Sequence, residues 1–158
     1  MAEYRSNKRE YAGFTFDSEK ELQFFREYLE GHEGRVEVHP NYRVTNQYTL
    51  GGYKCRGRFY KPDFVVYDKR GEIAHVYDVK ASISPKVDSK GKQKTPNVFI
   101  NPAMRKSIDD FQRLHRIPVE LVVPMKGRFR MTILGPTIPL GVFEFDSIDY
   151  DITEIIGK

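Results

Sequence analysis

The stretch Lys61-Pro-Asp-Phe-Val-Val-Tyr67, followed after a short turn by Val76-Tyr-Asp-Val-Lys80, decides the fold of this chain. Both segments are rich in β-branched and aromatic residues, and they predict strands over 59–67 and 72–80. The residues between the strands, Asp68-Lys-Arg-Gly71, are typical of a hairpin turn. The two strands are therefore expected to pair as an antiparallel hairpin.

The hairpin is expected to gather three charged residues. Side chains alternate along a strand, so Asp78 and Lys80 share one face. Antiparallel pairing brings Asp63, near the start of the first strand, beside the end of the second. Two adjacent carboxylates repel each other unless a cation lies between them, and hard oxygen ligands suit Mg²⁺. A lysine beside such a metal can act on an attacking water and offset charge on a phosphate.

The alternative is a surface hairpin with aspartates at its strand ends, as Asp68 in the turn is expected to be. Asp78 argues against it, because it interrupts an otherwise apolar run. A carboxylate that faces a core requires a partner or a metal. The pattern therefore favours a site.

The elements around the hairpin predict an α/β fold. A helix begins at Asp17 or Ser18 and ends at Gly31, and Asn101-Pro102 is typical of the start of a second helix that ends near Arg116. Strands are expected at 35–48 (bent at Pro40), 119–123 and 128–134, with a weakly predicted acidic end. The order α, β, β, β, α, β predicts a mixed central sheet flanked by helices, with extra strands at the C-terminal end.

Glu21 on the first helix is a candidate fourth site residue. At about 100° per residue it falls within an apolar stripe, whereas Glu27 and Glu30 fall outside it. The stripe consists of Leu22, Phe24, Phe25, Tyr28 and Leu29. A helix that lays this stripe on the sheet carries Glu21 inward. The alternative is that Glu21 only caps the helix start together with Ser18.

The charge distribution predicts a contact with a polyanion. The net charge is +4, but residues 80–130 contain 12 Lys and Arg against 4 Asp and Glu. Either a basic face for nucleic acid or a solvated lysine-rich loop explains this excess. The candidate phosphate-binding residues are Lys54, Arg56, Arg58, Lys61, Lys86, Lys90, Lys92, Lys94, Arg105 and Lys106.

Composition excludes several classes of protein. The single cysteine, Cys55, excludes an internal disulfide framework and a cysteine-based zinc site. No apolar run is long enough to span a membrane, and the N-terminus lacks a signal-peptide core. The four histidines are scattered, and His75 is expected to be a core residue because it lies on the strand face opposite Asp78.

One domain is expected over 1–158. Within it we predict a flexible N-terminal arm over 1–13, a basic loop over 82–97 that is mobile without DNA, and an acidic C-terminal extension over 135–158.

Pro62-Asp63 followed by Asp78-Val79-Lys80, with fourteen residues and a hairpin between the aspartates, resembles the PD-(D/E)xK nuclease motif. That superfamily contains type II restriction enzymes, junction resolvases and phage recombination exonucleases, and its core order is αβββαβ. The segment around Glu21 resembles the opening of compact phage-encoded endonucleases, including members similar to Holliday junction resolvases. The resemblance covers about two-thirds of the chain.

The resemblance implies a metal-dependent endodeoxyribonuclease that acts in phage or mobile-element DNA processing and recombination, in the cytoplasm of a bacterium or a phage-infected host. It implies Mg²⁺, with Mn²⁺ as a substitute, held by Glu21, Asp63, Asp78 and the Val79 carbonyl, with Lys80 acting on the attacking water. Structure-selective cleavage of branched DNA is the favoured activity. The alternatives are a nuclease subunit of a larger complex, such as a transposase or packaging machine, and a non-catalytic DNA-binding module. A homodimer or a protein partner is left open.

Overall fold

A short β-hairpin is the first element in residues 8–157, the part of the chain that the computed structural model describes. Strand β1 (Arg9–Tyr11) pairs antiparallel with β2 (Phe14–Phe16), and Tyr11 Oη donates a 2.9 Å hydrogen bond to Glu30 on the first helix. Residues 9–13, predicted as part of an N-terminal arm, form the first strand and the turn of this hairpin. Residues 1–7 lie outside the described residues.

The first helix confirms the prediction made from the capping pattern. Ser18 is the N-cap, and its hydroxyl accepts a 3.1 Å hydrogen bond from the Glu21 N–H. Helix α1 (Glu19–Phe24) continues without a break as a π-helical turn, Phe25–Leu29. Such π-turns are rare in proteins and occur frequently at functional sites.

A mixed six-stranded sheet forms the centre of the fold, which confirms the α/β prediction. Its strands are β3 (Val36–Val38), β8 (Phe64–Tyr67), β9 (Ile73–Val79), β12 (Val119–Pro124), β13 (Phe129–Thr132) and β14 (Phe143–Phe145). They lie in the order β14-β13-β12-β9-β8-β3, and only the β12–β9 pair is parallel.

Alternation along the central strands gives the sheet two apolar faces. On one face, Phe64 and Tyr77 pack with the aromatic residues of α1. On the other face, Val65 and Val76 pack with Phe111 of helix α2 (Pro102–His115). Helix α2 begins at the predicted cap, where Asn101 Oδ1 accepts a 2.7 Å hydrogen bond from the Met104 N–H. The core is therefore a helix–sheet–helix sandwich.

Two of the predicted strands are interrupted in the structure. The first, predicted over 35–48, breaks after β3, where His39 adopts a left-handed φ of 53° and is followed by Pro40. The second, predicted over 59–67, breaks at Pro62, which has no N–H to donate to a strand ladder. The first break lies at the bend predicted at Pro40, whereas the break at Pro62 was not predicted.

The segments released by the two breaks form a separate arm, Tyr42–Tyr60. Strand β4 (Tyr42–Thr45) pairs with β7 (Arg58–Tyr60), and beyond them β5 (Tyr48–Leu50) pairs with β6 (Tyr53–Cys55). The arm packs against α2 through β4 and β7.

The basic segment 82–97 is a β-hairpin, so the prediction that it lacks regular structure was wrong. Strand β10 (Ile83–Val87) pairs with β11 (Gln93–Val98). Asp88 closes the turn, because its carboxylate accepts hydrogen bonds of 2.9 and 2.8 Å from the N–H groups of Lys90 and Lys92. Pro85 is accommodated where the register shifts between its neighbours.

The C-terminal residues, predicted as an acidic extension, pack onto the sheet through β14 and helix α3 (Ile152–Ile156). A buried polar network fixes them: Tyr150 Oη donates a 2.5 Å hydrogen bond to Glu120, and His75 lies 2.7 Å from Glu120 and 2.9 Å from the Ile148 carbonyl. His75 is 3% exposed, which confirms that it is a core residue. No helix of the described chain has the length and apolar character needed to cross a bilayer.

Candidate metal centre

Asp63 lies at the end of the sheet where β8 begins and β9 ends. Its Oδ2 accepts a 2.7 Å hydrogen bond from the Val79 N–H, and its carbonyl accepts a 3.0 Å hydrogen bond from the His39 N–H. The break at Pro62 places Asp63 just before the ladder. Three neighbouring segments, the ends of β3, β8 and β9, therefore fix this residue.

Asp78 and Lys80 form a pair on the next strand. Lys80 Nζ lies 2.9 Å from Asp78 Oδ1, and Tyr60 Oη donates a 2.5 Å hydrogen bond to Asp78 Oδ2. Asp78 and Tyr60 are buried, and the Lys80 side chain is only 11% exposed. Both oxygens of Asp78 are thus engaged, one with a lysine ammonium and one with a tyrosine hydroxyl.

Glu21 enters the site from α1, as the helical angle predicted. It is 3% exposed, whereas Glu27 and Glu30 are exposed. One oxygen, Oε2, accepts a 3.3 Å hydrogen bond from the Asp17 N–H at the helix start. The other oxygen, Oε1, contacts His39 Nε2. Glu21 can therefore cap the helix start and take part in the site at the same time, because each role uses a different carboxylate oxygen.

His39 lies among three carboxylates. Besides its contact with Glu21, its Nε2 lies 3.5 Å from Asp17 Oδ2 and 3.7 Å from Asp63 Oδ1. Its left-handed φ of 53°, which costs a residue other than glycine conformational energy, turns the chain out of β3 at this point. The contact with Glu21 raises the pKa of His39, burial opposes this, and the charge of Asp17 adds to it.

The four residues Asp17, Glu21, His39 and Asp63 can hold a metal ion. Each offers one ligand atom, and these atoms all lie within 4.8 Å of one another. Glu21 Oε1 and His39 Nε2 are buried and contact each other, and Glu21 Oε1 makes no other hydrogen bond or ion pair among the described residues. A buried carboxylate oxygen with a single partner retains acceptor capacity that coordination to a cation would use. We refer to these four residues as the acidic cluster.

The raised pKa of Asp63 also favours a cation in the acidic cluster. Burial raises the pKa of its carboxyl well above the ordinary value, and the charges of Asp78 and Glu21 raise it further, against the Val79 N–H and Lys80. Concentrated negative charge of this kind penalises the ionised form until a cation neutralises it.

Only part of the predicted ligand set belongs to the acidic cluster. Glu21 and Asp63 belong to it, whereas Asp78 does not. Alternation explains the difference: Asp78 shares the face of Val76, which packs toward α2, while Glu21 arrives on the face covered by α1. Asp78 still lies close enough to raise the pKa of Asp63. His39, Asp17 and Tyr60 were not predicted as site residues.

The predicted phosphate-binding residues lie on three elements. Lys54, Arg56, Arg58 and Lys61 lie on the arm or just after it, and Arg58 is paired at 2.8 Å with Asp110 of α2. Lys86 and Lys94 lie directly opposite each other on the β10–β11 hairpin, with Lys90 and Lys92 near its turn. Arg105 and Lys106 lie on the exposed side of α2, close to its first turn.

A family model described as protein of unknown function (DUF1064) matches residues 1–101. The chain belongs to this family. The DUF1064 match includes the whole acidic cluster, the Asp78–Lys80 pair, and both the arm and the β10–β11 hairpin. No curated protein and no solved structure matches the chain.

Proposed function

We propose that this member of the DUF1064 family is a divalent-metal-dependent endonuclease of the PD-(D/E)xK type that hydrolyses phosphodiester bonds in DNA. The observation that carries the proposal is the meeting of Glu21 and Asp63 in one acidic cluster beside the Asp78–Lys80 pair. The residue types, their order in the chain and their position at one end of a mixed sheet are what that chemistry requires.

Glu21 and Asp63 would hold the cation, with His39 and Asp17 as the neighbouring donors. Asp78 and the Val79 carbonyl are further candidate ligands from the sequence. A bound divalent cation would supply Lewis-acid polarisation of the scissile phosphate and acidify a water beside it.

Lys80 is the residue we assign to the attacking water and the reacting phosphate. Its ammonium is held 2.9 Å from Asp78 Oδ1, and Asp78 is fixed in turn by Tyr60. A positive charge held in a nearly buried position can offset charge that develops on the phosphoryl oxygens. Asp78 therefore positions Lys80 whether or not it also binds the metal.

We favour Mg²⁺ as the metal, with Mn²⁺ as a substitute. Three of the four donors in the acidic cluster are carboxylates, which are hard ligands preferred by Mg²⁺ and Mn²⁺. The fourth donor is an imidazole, which suits transition metals better than Mg²⁺. The donor set therefore favours an enzyme that accepts Mn²⁺ readily.

The β10–β11 hairpin supports DNA as the substrate. Lys86 and Lys94 are opposed across the strands and exposed, and like charges in that position repel each other unless an anion lies nearby. The hairpin begins three residues after Lys80. A DNA backbone at the reacting centre would thus meet these lysines.

The test is a cleavage assay on linear, nicked, forked and four-way DNA with Mg²⁺ or Mn²⁺. We expect the wild-type protein to cleave at least one branched substrate and EDTA to stop it, with Lys80→Ala inactive but still able to bind DNA. Arg70→Ala, in the turn at the opposite end of the hairpin, is the matched control and should cleave normally. Binding without cleavage by the wild-type protein would instead support the non-catalytic alternative.

A further inference from the structure

The tip of the arm exposes apolar and aromatic side chains. On the β5–β6 hairpin, Tyr48 is 57% exposed, Leu50 is 62% exposed and Tyr53 is 80% exposed. Leu50 and Tyr53 are cross-strand partners on either side of the Gly51-Gly52 turn. These two strands form a two-stranded sheet of their own. The tip therefore presents a flat aromatic ring and an aliphatic side chain to solvent.

The charge of the arm favours a negatively charged partner. The arm and the two residues on either side of it, 40–62, contain Arg43, Lys54, Arg56, Arg58 and Lys61 and no Asp or Glu. Lys54 and Arg56 are exposed directly after Tyr53. Positive side chains that alternate with aromatic ones match a single nucleic-acid strand, whose phosphates are negative and whose unpaired bases offer faces for stacking. Paired bases inside a duplex offer no such faces.

The base of the arm lies beside the acidic cluster. Strand β7 ends at Tyr60, whose hydroxyl is bonded to Asp78, and Asp63 follows three residues later. Tyr53 is seven residues before Tyr60. A fully extended chain of that length spans at most about 25 Å, or about seven nucleotides of one strand.

We propose that Tyr53 and Leu50 contact unpaired bases, so that the protein selects DNA with a single-stranded region within about seven nucleotides of the cleaved bond. Tyr53 stacks on a base, Leu50 packs beside it, and Lys54 and Arg56 bind the adjoining phosphates. The inference rests on the proposed nuclease function, since it names the DNA structure which that site receives.

The experiment compares binding of forked DNA and fully paired duplex, without divalent cations so that no cleavage occurs. Tyr53→Ala should weaken binding of the fork by about 5- to 100-fold, the usual loss for one base–aromatic stack, and should leave duplex binding unchanged. Tyr53→Phe keeps the ring and should bind like the wild type. Ile138→Ala, at an equally exposed apolar residue outside the arm, should also bind like the wild type.

Equal effects of Tyr53→Ala on fork and duplex, or no effect on either, would overturn the inference. A Tyr53→Ala protein that binds the fork like the wild type but no longer binds anionic phospholipid vesicles would also overturn it, because the tip would then be a membrane contact. The two proposals can fail separately. A wild-type protein that prefers the fork but does not cleave it would refute the proposed nuclease activity. Cleavage of the fork by Tyr53→Ala at the wild-type rate, with unchanged binding, would refute only this inference.

Discussion

Tyr60 and Asp78 connect the arm to the candidate metal centre: Tyr60 Oη donates a 2.5 Å hydrogen bond to Asp78 Oδ2, while Lys80 occupies the other oxygen. Both residues of this hydrogen bond are buried. The bond therefore fixes the carboxylate that holds Lys80.

Tyr60→Phe should destabilise the protein and slow cleavage. It removes one donor from a buried carboxylate, which costs about 1–3 kcal/mol of unfolding free energy. It also loosens Asp78 and with it Lys80. Chemical denaturation and single-turnover cleavage measure the two effects. Tyr48→Phe, which alters an exposed hydroxyl, should change neither, and a Tyr60→Phe protein as stable and active as the wild type would show that the hydrogen bond has no role.

Among the glutamates of the first helix, only Glu21 should matter for activity. Glu21→Gln removes a buried charge from the acidic cluster, and we expect cleavage to fall by about 100-fold or more. Glu27→Gln and Glu30→Gln are matched controls on the exposed side and should cleave at nearly the wild-type rate. Similar losses in all three variants would contradict the assignment of Glu21.

Asp63→Asn should stabilise the metal-free protein. Because the pKa of Asp63 is raised in the folded protein, the wild type loses stability as the pH rises from the ordinary value of 3.8, where Asp63 of the unfolded chain ionises, toward the raised value. The amide does not ionise, and its oxygen can still accept from Val79 N–H. We expect a gain of about 1–3 kcal/mol in unfolding free energy near neutral pH, which disappears in acid.

The same variant should lose the stabilisation that Mg²⁺ or Mn²⁺ gives the wild type, measured as a shift in melting temperature. A cation that raised the melting temperature of Asp63→Asn and the wild type equally would place the metal site elsewhere.

The stability that the His75–Glu120–Tyr150 network gives the protein should depend on pH and on the side chain at position 120. Burial raises the pKa of Glu120, against the lowering effects of His75 and Tyr150. The wild type therefore loses stability as the pH rises from 4.5, where Glu120 of the unfolded chain ionises, toward the raised value, so the stability of Glu120→Gln relative to the wild type should increase with pH over that range. Glu120→Leu removes the partner of the buried His75 Nδ1 and one of the two partners of the Tyr150 hydroxyl, and it should cost about 2–4 kcal/mol.

Denaturation at a series of pH values tests this network. A constant difference between Glu120→Gln and the wild type across that series would contradict the raised pKa.

The β10–β11 hairpin should contribute affinity for DNA rather than catalysis. Replacing Lys86, Lys90, Lys92 and Lys94 with Ala should weaken binding to every DNA sequence and reduce the slope of log K against log salt by about 0.9 for each phosphate that the variant no longer binds. Cleavage at saturating DNA should change less. The double variant of Lys69 and Arg70 to Ala, at the far end of the sheet, is the control. An unchanged salt slope in the quadruple variant would remove the hairpin from the DNA surface.

The sequence was sufficient for the parts of the site that depend on local periodicity. Strand alternation predicted that Asp78 and Lys80 share a face, and the hairpin turn predicted that Asp63 lies nearby. The helical angle predicted that Glu21 points inward. These inferences need only the repeat of a strand or a helix. The mixed sheet followed from the order of such elements.

Residues that depend on long-range geometry were not predictable. His39 reaches the site because β3 pairs with β8 and its own φ is positive, and neither property is visible in a pattern of scattered histidines. Tyr60 was assigned to one long strand, although Pro62 ends that ladder. The basic hairpin was taken for a loop because Pro and Gly punctuate it, whereas an isolated two-stranded ladder tolerates proline at a bulge.

The most direct test of the account is the single-turnover rate of forked-DNA cleavage as Mn²⁺ is titrated, measured for the wild type and for Asp63→Asn. We predict that the wild-type rate rises from zero to a plateau with Mn²⁺ and returns to zero with EDTA. Asp63→Asn should bind the fork but remain inactive throughout the titration. Equal rates for the two proteins, or cleavage that persists in EDTA, would contradict the claim that the acidic cluster is the metal centre of a nuclease.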